Sequence, residues 1–123
     1  MADRVLRQIK AIDQDVVVLS FSFAPQGSSQ PTGITGRGVA TITRTGAGDF
    51  LVTLQDVWPA LLGAKMSIQM STATDISPQL GDVDLSAKTL VVRTIVAATE
   101  TDIAADANNR VFVELTMRNG SVV

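Results

Sequence analysis

The chain contains no cysteine and no histidine. Without cysteine there is neither a disulfide framework nor a thiolate metal site, and a small secreted, disulfide-stapled domain is disfavoured. Without histidine the usual general base, the commonest metal ligand and the ordinary pH switch are missing together. No Ser-His or Cys-His pair can therefore activate a nucleophile, and no S-x-x-K spacing occurs around Lys10, Lys65 or Lys88. Aromatic residues make up only 4% of the chain, which leaves little to line a sugar cleft. These absences set the expectation of a non-enzymatic protein without catalytic residues, cofactor or resident metal.

Long apolar runs are also missing. No window approaches eighteen uninterrupted apolar residues, and the opening "MADRVLRQIKAIDQD" has no continuous apolar core, so neither a membrane span nor a signal peptide is expected. The chain reads as a protein soluble and intracellular when made, with no membrane partner. The ten basic residues are scattered and outnumbered by twelve acidic ones. No broad basic face is on offer to nucleic acid.

What the sequence has in plenty is aliphatic residues. Hydrophobic residues make up 46% of 123 positions, a length that fits one domain burying roughly 65% of its unfolded surface. So small an interior cannot hide them all, and part of the apolar surface is expected to lie against copies of the chain or a partner. A homo-oligomer is the expectation, a trimer favoured over a dimer.

Alternation with period two organises the chain. In "VVVLSFSFA", Val17, Leu19, Phe21 and Phe23 face one way and Ser20 and Ser22 the other. A polar loop, "PQGSSQPTG", is expected next. "GVATITRT" and "FLVTLQD" then form a hairpin across "GAGD", with Phe50, Val52 and Leu54 on one face. Gly33, Gly36, Gly38, Gly46 and Gly48 crowd this region, but they lead into β-branched strands rather than a helix, so they read as turn and strand-entry residues and not as a phosphate cradle. "DVWPALLGA" predicts a short helical turn or tight corner, with Asp56 as N-cap, Pro59 in the first turn and Gly63 as the stop. Trp58 within it reads as a core plug.

"AKMSIQMST" is a further strand whose Ala64, Met66, Ile68 and Met70 share a face. "GDVDLSAKTLVVRTIV" predicts strand, turn at 86–88 and strand through Val96. After an acidic loop, "AATETDIAADANN", the segment "RVFVELTMRN" closes the chain with Val111, Val113, Leu115 and Met117 on one face. The fold class expected is all-β: a single jelly-roll-like β-sandwich of about seven to eight short antiparallel strands, spaced roughly 8 to 12 residues apart.

Asp82 and Asp84 share a strand face, and with Glu100, Asp102 and Asp106 they are the available carboxylates. A calcium site drawn from Asp82, Asp84, Asp106 or Asn108 is chemically possible, but the EF-hand pattern is absent; structural or solvated charges are the expectation. Residues 1–15 stand apart as an N-terminal arm or first strand, ahead of a sandwich domain at 16–123. Drawn as a helix, Val5, Ile9 and Ile12 fall within about 60° of one another, opposite Arg4, Arg7 and Lys10. The candidate partner-contact residues are Arg4, Val5, Leu6, Arg7, Ile9, Lys10 and Ile12, the apolar ones covering a neighbour's surface and the basic ones meeting its acidic rim.

The phrases "RVLRQIKAIDQDVVVLSFSFAP", "GRGVATITRTGAGDFLVTLQDVWPALLGA", "GDVDLSAKTLVVRTIVAAT" and "ADANNRVFVELTMRN" together resemble the small structural proteins of tailed bacteriophages that decorate, or cement, the capsid. The resemblance spans nearly the whole chain and implies a jelly-roll-like sandwich that assembles as a dimer or trimer. It implies binding over the joints between major capsid proteins, on the capsid exterior of the virion, after synthesis in the host cytoplasm. It brings no catalytic residues. A phage tail-fibre or receptor-binding tip, or a cellular β-sandwich interaction module, are the other classes the composition allows.

Overall fold

The computed structural model describes residues 16–118, and within them every regular element is a β-strand. The strands are β1 (Val16–Gln26), β2 (Ser29–Gly36), β3 (Val39–Gly46), β4 (Asp49–Leu54), β5 (Ala60–Gln69), β6 (Ser77–Asp84), β7 (Thr89–Val96), β8 (Thr99–Glu100) and β9 (Arg110–Arg118). They form two antiparallel sheets: sheet A in the order β2-β1-β9-β5, and sheet B in the order β3-β4-β7-β6, with β8 added beside β7. The sheets stack as a β-sandwich, β2 lying against β3 along one flank and β5 against β6 along the other. Among the described residues there is no helix long and apolar enough to cross a membrane.

The alternation seen in the sequence is what fills the sandwich. Phe21 and Phe23 of β1 and Val111, Val113, Leu115 and Met117 of β9 point inward from sheet A; Phe50, Val52 and Leu54 of β4 and Leu90 and Val92 of β7 meet them from sheet B, and all are buried. Phe23 and Phe50 pack across the interface with ring centroids 4.9 Å apart and a tilt of 51°. Such a pair contributes about 0.5–1.5 kcal/mol beyond its area burial. The two-residue turn at Ala47 and Gly48 closes the β3–β4 hairpin, and Gly48 takes a φ of 67°. A Cβ there would also strike the backbone at Thr94 and Thr101, so the position needs glycine on two counts.

Two local expectations are corrected. "PQGSSQPTG" is not a loop but the β1–β2 hairpin, turning at Gly27 and Ser28. β2 is an edge strand exposed almost throughout, so no alternation marks it, and Pro31 is tolerated because an edge need not donate every amide. The helical reading of "DVWPALLGA" also gives way. Gln55 to Pro59 form a bend between the sheets, and Ala60 onward joins β5, where pairing with β9 from Ala60↔Arg118 to Gln69↔Arg110 supplies partners that a short helix lacks. Trp58 packs against the core as expected, but its indole Nε1 is buried without a hydrogen-bond partner among the described residues.

Candidate interaction surface

At its centre, the face of sheet A turned away from the core carries three cross-strand rows. Thr35, Ser22, Phe112 and Ser67 form one; Ser20, Glu114 and Lys65 the next; and Val18, Thr116 and Gly63 the third. Because side chains of neighbouring strands stand in register, small residues in a row leave a hollow beside a large one. The serines do this around Phe112, producing an open depression of about 430 Å³ lined also by Thr35, Lys65 and Glu114. Phe112 is 40% exposed and Val18 52% exposed. Large apolar side chains in the middle of a sheet face are where water is worst placed, and burial of each half-exposed group would contribute roughly 1–2 kcal/mol.

The rim of the depression is braced. Arg110 donates from Nε to Ser22 Oγ at 3.0 Å, and from its terminal nitrogen to Thr35 Oγ1 at 3.1 Å and to the Gly33 carbonyl. Ser22 and Thr35 share a further hydrogen bond of 2.9 Å. This network ties β2 to β1 and β9 along one side of the depression. Ser22 is bound by a guanidinium and a hydroxyl, neither of which can take its proton as a base. The arrangement can recognise a surface by burial and hydrogen bonding.

Glu114 lines the depression, whereas the carboxylates singled out in the sequence lie away from it. Asp102 accepts from Arg44 Nε at 2.9 Å and Nη2 at 2.7 Å, and from the Gly48 amide at 2.9 Å. The Arg44 hydrogen bonds hold its carboxyl below the usual aspartate range. Asp84 caps the β6–β7 turn through Ser86 Oγ and the Ala87 amide, which likewise lowers its pKa, and Asp106 accepts from the Asn108 amide. Glu100 sits 3.3 Å from Arg93, which lies 3.4 Å from Asp49. Its pKa is raised, chiefly by a hydrogen bond with Asp49, with partial burial and the Asp49 charge adding and Arg93 opposing. Asp82 is exposed on β6. Among the described residues, no three or more carboxylates converge to hold a metal ion.

The sequence-based candidates Arg4, Val5, Leu6, Arg7, Ile9, Lys10 and Ile12 lie outside the described residues. Phe112 and Val18 were not among the candidates, though a signal for both exists. Each falls on the off-beat of an otherwise inward-facing alternation, which places an apolar group on the wet face. Comparison with known protein families, with curated proteins and with solved structures finds no match to this chain.

Proposed function

We propose that the chain is a non-enzymatic virion protein that decorates and stabilises a tailed-bacteriophage capsid, binding over the joints between major capsid proteins from the particle exterior. The observation that carries this reading is the outer face of sheet A, where Phe112 stands exposed at the depression and Val18 stands exposed further along the same face. It adds to the resemblance carried by the sequence. An open, braced sheet face carrying two exposed apolar side chains suits docking onto another protein's surface better than enclosing a small molecule. Residues 1–12 are proposed as a second contact, since the chain enters β1 at Val16, on the same strand as Val18.

Co-sedimentation with capsids of the encoding phage, assembled without this protein, tests the proposal. The protein is expected to pellet with the particles, and Phe112→Ser combined with Val18→Ser to weaken attachment at least tenfold while leaving the strand circular-dichroism spectrum unchanged. Absence of the protein from the pellet would refute the capsid reading. Unweakened attachment of the double variant would move the contact off this face. The reading also requires the gene to lie beside one for a major capsid protein; a tail-fibre neighbour would move the protein to the tail.

A further inference from the structure

The two flanks of the sandwich are built differently. Along the β2/β3 flank both edges are blunted against pairing. β2 contains Pro31 and two register irregularities against β1. On β3 the Gln30 side-chain amide receives the Arg44 N–H at 2.7 Å and donates to the Arg44 carbonyl at 3.1 Å, filling the place where a neighbouring strand's peptide would bind. Along the β5/β6 flank, among the described residues, no side chain bonds to the main chain of either strand; β6 carries Pro78 and a register shift between Leu80 and Val83, so β5 is the edge left open to pairing. β5 offers an edge of ten residues without proline, and its single register shift, between Leu61 and Gly63, leaves 63–69 regular.

The apolar burial is lopsided in the same sense. Leu61, Met66, Ile68, Met70, Ile76 and Leu80 touch the core yet remain only partly buried, and all belong to β5, β6 or the segment joining them. On the β2/β3 flank Val39 alone does so. Among the described residues the core is thus closed on one side and left ajar on the other.

We infer that the β5/β6 flank is covered by a second copy of this chain, through antiparallel pairing of β5 with β5 about a two-fold axis at Met66. Antiparallel pairing is self-complementary, so one free strand suffices for both partners. An axis at Met66 pairs Met66 with itself and Ala64 with Ile68 on the core side. On the outer side it pairs Lys65 with Ser67 and Gly63 with Gln69, so no like charges oppose one another. The flank is roughly 30 Å long, ten residues at about 3.3 Å each, and roughly 20 Å thick for two sheets about 10 Å apart with their side chains. That gives about 600 Å² per copy, at the lower bound of a specific interface. The apolar surplus favoured three copies on composition alone, but a two-fold edge closes at two. An axis perpendicular to the joined sheet also turns both Phe112 faces the same way, doubling the surface presented to a partner. The pairing does not rest on the capsid reading.

Light scattering on the purified chain is expected to give twice 13.0 kDa. Ala64→Lys, at an exposed edge position, should shift the mass to one copy at the same concentration with the strand spectrum unchanged. Since the chain has no native cysteine, Met66→Cys should cross-link with itself on mild oxidation, while Thr32→Cys on β2 should not. A wild-type mass of one or three copies would overturn the inference. So would an Ala64→Lys protein that keeps the dimer mass, or a Thr32→Cys protein that cross-links as readily as Met66→Cys.

Discussion

Replacing Asp102 by alanine removes three hydrogen bonds at one stroke. Two come from the Arg44 guanidinium and one from the Gly48 amide, so the carboxylate fastens the segment after β8 to the β3–β4 hairpin. Gly48 is buried, and losing its acceptor leaves that amide without a partner, which costs about 1–3 kcal/mol. The ion pair adds less, because the Arg44 and Asp102 side chains are 18% and 24% exposed and partly screened. A total of about 2 kcal/mol follows, or roughly 6–10 °C in Tm for a chain of this size. Replacing Asp102 is therefore expected to cost far more than replacing exposed Asp82, whose loss should stay within about 0.5 kcal/mol.

The pH dependence has a definite sign. Arg44 depresses the folded-state pKa of Asp102, so the stabilisation is full above the unfolded pKa, about 3.9, and is lost as pH falls through the folded value. Thermal melts of wild type and Asp102→Ala should thus differ most near neutrality and converge in acid. A Tm loss below about 1 °C at pH 7, or a gap that persists undiminished into strong acid, would refute this reasoning.

Two further substitutions probe the backbone. Gly36→Ala should abolish or cripple folding, read as loss of soluble yield or a Tm drop of more than about 10 °C, because φ is 127° and a Cβ would collide with the Ser20 carbonyl and Phe21 Cα. Conversely, the β7–β8 turn places Ala97 and Ala98 at φ of 49° and 65°, so Ala98→Gly should raise stability by about 0.5–1 kcal/mol in urea titration.

The sandwich was readable because its inner strands bury one face each. β1, β4, β7 and β9 carry their core residues on alternate positions, and those positions are the buried ones. β2 was not readable, since an edge strand exposed on both faces has no beat to hear, and a polar edge containing proline and glycines reads as a loop. At "DVWPALLGA" the local capping residues spoke for a helix, and the long-range pairing of β5 with β9 overruled them. The outer-face depression depends on which residues the register sets side by side. Phe112 between Ser22 and Ser67 is a fact about three strands distant in sequence, and no window along the chain contains it.

The disassembly temperature of capsids, measured with and without saturating amounts of the purified protein, tests the cementing role most directly. The account predicts an upward shift that rises with added protein, saturates at a fixed ratio to the major capsid protein, and is lost with the Phe112→Ser, Val18→Ser variant. A protein that fails to bind, or that binds to saturation and leaves the disassembly temperature where it was, would contradict it.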